Sequence, residues 1–192
     1  MDKVEKGVDQ FLKKHNFLNI EVPGDGNCFF HCIHTYFMID EYKTKTENYI
    51  EELFTPVPPV PNVFEHKNKK MDSSLFRNEI FEYIIKNKEI KEYLCLYGGY
   101  EKTEDLIKEV EELNIDTNYE VPVFDFFPIV VASLYKLKVC VYPLDVDEDE
   151  NFTFYERQIY TGITDNNPTT DTTDDCIHLL YINRLHYELL IN

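Results

Sequence analysis

Cys28 is the residue of this chain best placed for covalent chemistry. It follows the turn-forming segment Gly24-Asp25-Gly26-Asn27 and opens an apolar stripe of helical spacing that includes Phe29 and Ile33. At a helix start, unpaired main-chain N–H groups and the positive end of the helix dipole favour the nucleophilic thiolate, and the same amides can stabilise an oxyanion. The alternative is a structural cysteine, since free cysteines are often small core residues. We predict that Cys28 is a nucleophile and that the loop from Asp25 to Cys28 holds the oxyanion.

A cysteine nucleophile needs an imidazole that takes up and returns a proton, and this base can lie far away in the sequence. His186 has the most suitable position, because it opens an alternating run after a short connection, where a hairpin strand would present it at a sheet end. Glu188 points to the same face of that strand and could orient the imidazole. The other five histidines lie in less suitable places: His15 on an amphipathic segment, His31 and His34 on the cysteine's own helix and pointing away from its N-terminal end, His66 in a lysine-rich stretch, and His178 inside another strand.

The apolar pattern along the chain predicts helices first and strands later. Helical spacing predicts an amphipathic helix near residues 4–12, the helix that starts at Cys28, a helix capped near Asp72 or Ser73, and a helix that starts at Thr103. Short β-rich runs follow at 139–142, 152–155 and 158–161, before a closing hairpin of 177–182 and 186–191. This order predicts an α+β fold with a small, mostly antiparallel sheet.

Several stretches of the chain together resemble one known family. They are the Asp25-Gly26-Asn27-Cys28 motif with the aromatic residues behind it, the His186-Tyr187 pair near the end, the helical segment 74–84 with its Phe76-Arg77 element, the passage ASLYKLKVCVY at 132–142, and the closing CIHLLYINRLHYELL. The family that they resemble is the ovarian-tumour (OTU) class of papain-like cysteine deubiquitinases. The resemblance covers most of residues 22–191.

The resemblance implies a fold, an activity and a set of roles. The fold would be an α+β, papain-like OTU fold with the sheet packed between helical layers, in a single catalytic domain over residues 1–192. Cys28 would attack the carbonyl of a ubiquitin C-terminal glycine joined to a lysine amine, with His186 as the base. The family uses a catalytic triad, and its third member here could be either of two residues. One is Glu188, which stands where the family usually has Asn or Asp, and the other is Asp25. The stretch of about 43–72 is predicted to be an insertion.

Charge and cysteine content indicate the setting in which the protein works. A net charge of −17 over 192 residues would repel phosphate backbones, so nucleic acid is not expected as a partner, whereas an acidic cleft would complement the arginines of ubiquitin's tail. Five cysteines without a C-x-x-C pair favour a reducing compartment over a disulfide framework. The charged N-terminal segment and the lack of a long apolar run predict neither a signal peptide nor a membrane span. We expect a cytoplasmic monomer, in the host cytoplasm if it is a viral or bacterial effector.

Two patterns of metal ligands were weighed, and neither predicts a metal site. Residues 145–151 place carboxylates at alternate positions as a calcium loop does, but the required glycine and glutamate are missing. Cys28, His31 and Cys32 have spacing that suits part of a zinc site, but no second pair of ligands accompanies them. We predict no metal and no cofactor.

Three other functions are open at the level of the sequence. The same fold could act on a ubiquitin-like modifier whose tail also ends in Gly-Gly. It could also bind ubiquitin or polyubiquitin without hydrolysis, if Glu188 positions the histidine badly. An acidic scaffold protein unrelated to ubiquitin would explain the charge, but it would leave the placement of Cys28 and His186 to coincidence.

Overall fold

A computed structural model describes residues 3–43, 73–115, 122–147, 151–163 and 176–191. The helices are α1 (Lys3–His15), α2 (Cys28–Lys43), α3 (Ser73–Lys86), α4 (Lys88–Gly98), α5 (Thr103–Ile115) and α6 (Phe127–Tyr135), the last preceded by a 3₁₀ turn at Pro122–Phe126. The strands are β1 (Leu18–Ile20), β2 (Lys138–Val146), β3 (Phe152–Phe154), β4 (Gln158–Tyr160), β5 (Cys176–Ile182) and β6 (His186–Ile191). Apart from residue 43, the predicted insertion lies outside the described residues. None of the helices described is both long enough and apolar enough to cross a bilayer.

The strands form one six-stranded sheet in the order β1-β6-β5-β2-β3, and β4 also pairs with β2. The long strand β2 has two antiparallel neighbours on one side, β4 beside its first half and β3 beside its second. On its other side β2 runs parallel to β5, whereas the β5–β6 and β6–β1 pairs are antiparallel. The predicted α+β class and mostly antiparallel sheet are confirmed. The parallel central pair was not predicted, because alternating hydrophobicity does not encode strand direction.

The two faces of the sheet carry different layers of the core, because successive side chains of a strand point to opposite sides. One face buries Val139, Val141, Ile177 and Leu179 together with side chains from α2, α3 and α6. The other face buries a second set beneath α1: Val8, Phe11, Cys140, Tyr142, Leu144, Leu180, Ile182 and Leu190. The sheet therefore lies between helical layers, as expected.

The closing hairpin of β5 and β6 fixes the position of His186. His186 pairs with Ile182 at the first position of β6, directly after the turn. Asn183 and Arg184 in this turn have left-handed backbone conformations, with φ of 51° and 57°, and asparagine tolerates that region better than most residues. The tyrosine rings of Tyr181 and Tyr187 stack across the hairpin with centroids 4.2 Å apart. The predicted hairpin is confirmed.

The helix α4 was not predicted. Asn87 caps it by accepting a hydrogen bond from the N–H of Ile90, and Gly99 ends it in a left-handed conformation with φ of 77°. Only Ile90 and Leu94 of this helix are buried. Two buried positions in a charged segment form too short an apolar stripe to predict a helix from the sequence. The helix becomes evident only from its packing against neighbouring elements.

Candidate active site

The loop before α2 is held by its own hydrogen bonds. A carboxylate oxygen of Asp25 accepts the N–H of Asn27 at 2.9 Å, which is the turn that aspartate favours. Gly26 between them has φ of 86°, in the left-handed region that glycine occupies at little cost. The carbonyl of Asn27 accepts the first helical hydrogen bond, from the N–H of His31 at 2.9 Å. Cys28 is therefore the first residue of the helix, as predicted.

The Cys28 sulfur lies against the strand that carries His186. The main-chain N–H groups of Tyr187 and Phe29 donate to the sulfur. The Tyr187 N–H belongs to the peptide bond that joins it to His186, so this hydrogen bond places the thiol beside the predicted base. The rings of Phe29 and Tyr187 also meet edge to face, with centroids 5.2 Å apart. Each of the two predicted catalytic residues is thus followed by an aromatic residue, and those two residues pack together.

The loop approaches His186 from the other side. A Cβ atom placed on Gly24 would lie 4.0 Å from Nδ1 of His186, so the glycine backbone passes next to the imidazole. Of the predicted site, Cys28, the residues before it and His186 are therefore brought together, although Cys28 and His186 lie near opposite ends of the chain.

Burial shifts the pKa of the Cys28 thiol. Cys28 is only 3% exposed, and this desolvation raises the pKa of its thiol. The amides of Tyr187 and Phe29 favour the thiolate and lower the pKa, while the charge of Asp25 raises it again. Burial outweighs the amides, so the pKa of the Cys28 thiol lies above its ordinary value. The sequence-based expectation of a thiolate at the helix start differs from this outcome because the sequence does not show how deeply the sulfur is buried.

The charge state of His186 follows the same rule. Burial disfavours the imidazolium and lowers the pKa of His186, and the carboxylate of Glu21 partly offsets this. A neutral imidazole is the form that can accept a proton. Glu21 was not among the predicted site residues, because a lone acidic residue before a turn has no distinctive pattern.

Asp25 binds a different histidine. Both of its carboxylate oxygens lie close to Nε2 of His31, at 3.0 and 3.1 Å. Burial raises the pKa of Asp25, but the hydrogen bonds from His31 and from the Asn27 N–H outweigh this and leave the pKa below its ordinary value. His31 was expected to point away from the start of the helix, and this was wrong: its ring reaches back along the first turn to the loop. Asp25 therefore shapes the loop, and its role in the triad stays a prediction.

Glu188 lies two residues after His186 and is 8% exposed. Its carboxylate accepts a hydrogen bond from the side-chain amide of Asn19 on β1 at 2.8 Å. Burial raises the pKa of Glu188, the hydrogen bond from Asn19 lowers it, and the nearby charge of Glu21 raises it. Glu188 thus links the edge strand β1 to β6. Its role in orienting His186 stays a prediction.

Arg77 on α3 connects the loop to the helical layer. Its guanidinium donates to the side-chain oxygen of Asn27 at 3.1 Å and also to the carbonyl of Leu113 at the end of α5. The same group lies over the rings of Phe30 and Phe81, at 5.9 and 5.4 Å from their centroids. Arg77 therefore fixes Asn27 directly before the nucleophile.

Comparison with known proteins places this arrangement in a known fold. No protein-family model matches the sequence, and no curated protein sequence matches it. Among solved structures, the viral OTU domain protease from Qalyub virus matches with a TM-score of 0.52 and 15% identity, over 91% of this chain and 83% of that chain. The OTUD1 OTU domain matches with a TM-score of 0.54 and 13% identity, over 99% of this chain and 95% of that chain.

The chain has the OTU fold. The fold implied by the resemblance of the motifs is therefore confirmed. At such low identity the likeness is one of backbone architecture. The fold sets Cys28 against the strand that begins at His186, and these are the two residues that the motifs single out.

The first prediction concerns Arg77. In Arg77→Lys the charge is kept, but one ammonium cannot reach both oxygens and the two rings as the planar guanidinium does. We expect the free energy of unfolding to fall by about 1.5–3 kcal/mol, the usual range for a lost hydrogen bond from a charged group. Chemical denaturation measures it. The control is Lys86→Met on the same helix, which removes an exposed ion pair with Glu82 and should change stability by less than about 0.5 kcal/mol. Equal effects of both variants would contradict the assigned role.

The second prediction concerns the thiol of Cys28. Since its pKa is raised, its thiolate forms only at higher pH than that of an unburied thiol. The rate of Cys28 alkylation by iodoacetamide, followed by intact mass against pH, should therefore have a midpoint above that of N-acetylcysteine. The Cys28→Ser variant identifies the adduct. Comparing midpoints rather than rates separates the charge state from slow access to a buried sulfur, and a midpoint below that of N-acetylcysteine would contradict the prediction.

Proposed function

We propose that the protein is a cysteine isopeptidase, a deubiquitinase that hydrolyses the bond between the C-terminal glycine of ubiquitin and a lysine amine. The observation that carries this proposal is the hydrogen bond from the Tyr187 N–H to the Cys28 sulfur. It joins the motif nucleophile to the motif base within an OTU fold. The sequence motifs around both residues resemble those of OTU deubiquitinases, which supports ubiquitin as the substrate.

The first half of the reaction starts from a neutral pair. As the Cys28 sulfur attacks the carbonyl carbon, the S–H proton passes to the imidazole of His186, so no free thiolate has to exist beforehand. The main-chain N–H groups of the loop before α2 are the donors for the negative oxygen of the tetrahedral intermediate. Collapse of the intermediate breaks the C–N bond, and the proton on His186 goes to the departing lysine amine. A thioester between Cys28 and the glycine remains.

The second half of the reaction releases the enzyme. His186, again neutral, takes a proton from a water molecule that attacks the thioester carbonyl. Breakdown of this second intermediate expels the Cys28 sulfur, which regains the proton from His186. Glu21 supports both halves, because its negative charge stabilises the imidazolium that forms in each of them.

The wider setting of the enzyme follows from its charge and its cysteines. The net charge of −17 suits a substrate with a basic tail and disfavours nucleic acid. The cysteines in the described ranges are free thiols that form no disulfide bonds, which suits a reducing compartment such as the cytoplasm. We propose a monomeric enzyme whose catalytic domain spans residues 1–192 and whose insertion lies at about 43–72.

The third prediction tests the nucleophile and the substrate together. Ubiquitin that carries a C-terminal electrophile should form a 1:1 covalent adduct with the protein, detected by intact mass. Cys28→Ala should abolish the adduct, and His186→Ala should slow its formation at neutral pH because the thiol has lost its base. Cys95→Ser, on α4, is the matched control and should react as the original chain does. An adduct that persists in Cys28→Ala would contradict the mechanism. A folded protein that reacts only with a ubiquitin-like modifier would show that the substrate is that modifier and not ubiquitin.

The fourth prediction separates the two roles open to Glu188. Its pKa is raised, so its charged form is disfavoured in the folded protein, and stability should increase as pH falls through that pKa. Glu188→Gln removes the buried charge and keeps an oxygen that can accept from Asn19. We therefore expect a free energy of unfolding at pH 7 no lower than that of the original chain, and a turnover rate within about tenfold of it. A loss of about 10⁴ in turnover, the size seen when an orienting carboxylate is neutralised in a catalytic triad, would instead assign Glu188 to the triad.

A further inference from the structure

A second group of reactive side chains lies on the face of the sheet opposite to Cys28. It consists of Cys140 on β2 with Cys176 and His178 on β5, and their ligand atoms all lie within 4.8 Å of one another. We call it the β2–β5 cluster. Cys140 and His178 are direct partners in the parallel ladder, and Cys176 precedes His178 by two residues. All three side chains therefore project from the same face of two adjacent strands.

The surroundings of the β2–β5 cluster are largely apolar. Cys140 is 4% exposed and belongs to the core beneath α1. The ring of Phe17 lies 5.3 Å from that of His178, and the ring of Phe11 lies 5.5 Å from that of Tyr142. These rings pack around the cluster, as the apolar shell of a metal site does.

Tyr142 orients the imidazole of the cluster. Its hydroxyl lies 3.1 Å from Nδ1 of His178, and its oxygen also accepts a hydrogen bond from Arg157. With the Nδ1–H donating to the Tyr142 oxygen, Nε2 keeps its lone pair. A neutral histidine with one nitrogen held by a hydrogen bond is the usual form of a metal ligand.

The S–H of Cys176 donates to the main-chain carbonyl of Ile177 at 3.6 Å. A bound cation would replace both thiol protons. Two thiolates would then neutralise a divalent cation, so no net charge would be added to the apolar layer.

We propose that Cys140, Cys176 and His178 bind one zinc ion through two thiolates and Nε2 of the imidazole, with the fourth position open to water. Thiolate and imidazole donors together select zinc over the hard cations Mg²⁺ and Ca²⁺. The ion bridges β2 and β5, the parallel pair at the middle of the sheet, and stabilises the folded state because the unfolded chain does not hold the three ligands together. The site is separate from the cysteine that the proposed hydrolysis uses.

Cobalt is the probe that tests this site, because its absorbance reports thiolate ligands. The protein is the full chain with Cys28→Ser, which removes the thiol beside the strand of His186, kept reduced with a phosphine. We expect one equivalent of Co²⁺ to give sulfur-to-metal charge-transfer absorbance that Zn²⁺ abolishes by displacement. Added Zn²⁺ should also raise the melting temperature.

Four variants assign the ligands. In the same background, Cys176→Ser and His178→Gln should each abolish the stoichiometric signal, and Cys95→Ser should leave it unchanged. Tyr142→Phe keeps all three ligands but removes the oxygen that orients His178, so it should weaken Co²⁺ binding by roughly 10- to 100-fold. Circular dichroism establishes that each variant is folded. Because Cys176 and His178 are only partly buried, their variants are expected to fold even where Cys140 variants do not.

Two results would overturn the proposal. One is a fully reduced, folded chain that shows no charge-transfer absorbance and no rise in melting temperature with Zn²⁺. The other is an unchanged signal in Cys176→Ser and His178→Gln, which would place the metal elsewhere in the chain. Both experiments measure metal binding, so they do not depend on the proposed hydrolase activity.

Discussion

The docking of β6 against the start of α2 is the contact on which the candidate active site depends. Tyr187 makes this contact twice, through its N–H to the Cys28 sulfur and through its ring against Phe29. Stacking on Tyr181 holds the same ring from the β5 side. Because Cys28 and His186 come from opposite ends of the chain, no local interaction could bring them together. The packing of the aromatic residues that follow Cys28 and His186 therefore sets the relative position of these two residues.

Burial of the site has an electrostatic consequence that limits how it can work. Desolvation raises the pKa of Cys28 and lowers that of His186, so both groups are driven towards their neutral forms. A resting ion pair of Cys28 and His186 is thereby disfavoured, and in the proposed hydrolysis proton transfer accompanies the attack. The two amides at the sulfur and the carboxylate of Glu21 oppose the effect of burial only in part. Charge would then be stabilised where it develops during the reaction rather than stored in the free protein.

The two faces of the sheet differ chemically because successive side chains of a strand point to opposite faces. On β2, Val139 and Val141 face the helical layer that contains α2, whereas Cys140 and Tyr142 face α1. The same alternation on β5 turns Ile177 and Leu179 to one side, and Cys176 and His178 to the other. The parallel register then sets Cys140 directly beside His178. Cys28 and the β2–β5 cluster can thus occupy one small core on opposite faces of the same sheet.

The sequence by itself determined the local features: the turn and helix start at Cys28, the hairpin that begins β6 with His186, the α+β order of elements and, through its motifs, the OTU fold. These follow from turn chemistry, hydrophobic period and motif, all of which act over a few residues. Tertiary structure decided the rest: the parallel pairing of β2 with β5, the helix α4 with two buried residues, the partners of Asp25 and Glu188, the charge state of Cys28, and the cluster of Cys140 with His178. Each of these depends on which residues distant in sequence become neighbours and on how far their side chains are removed from water. The spacing of residues along the chain encodes neither the tertiary contacts nor the burial.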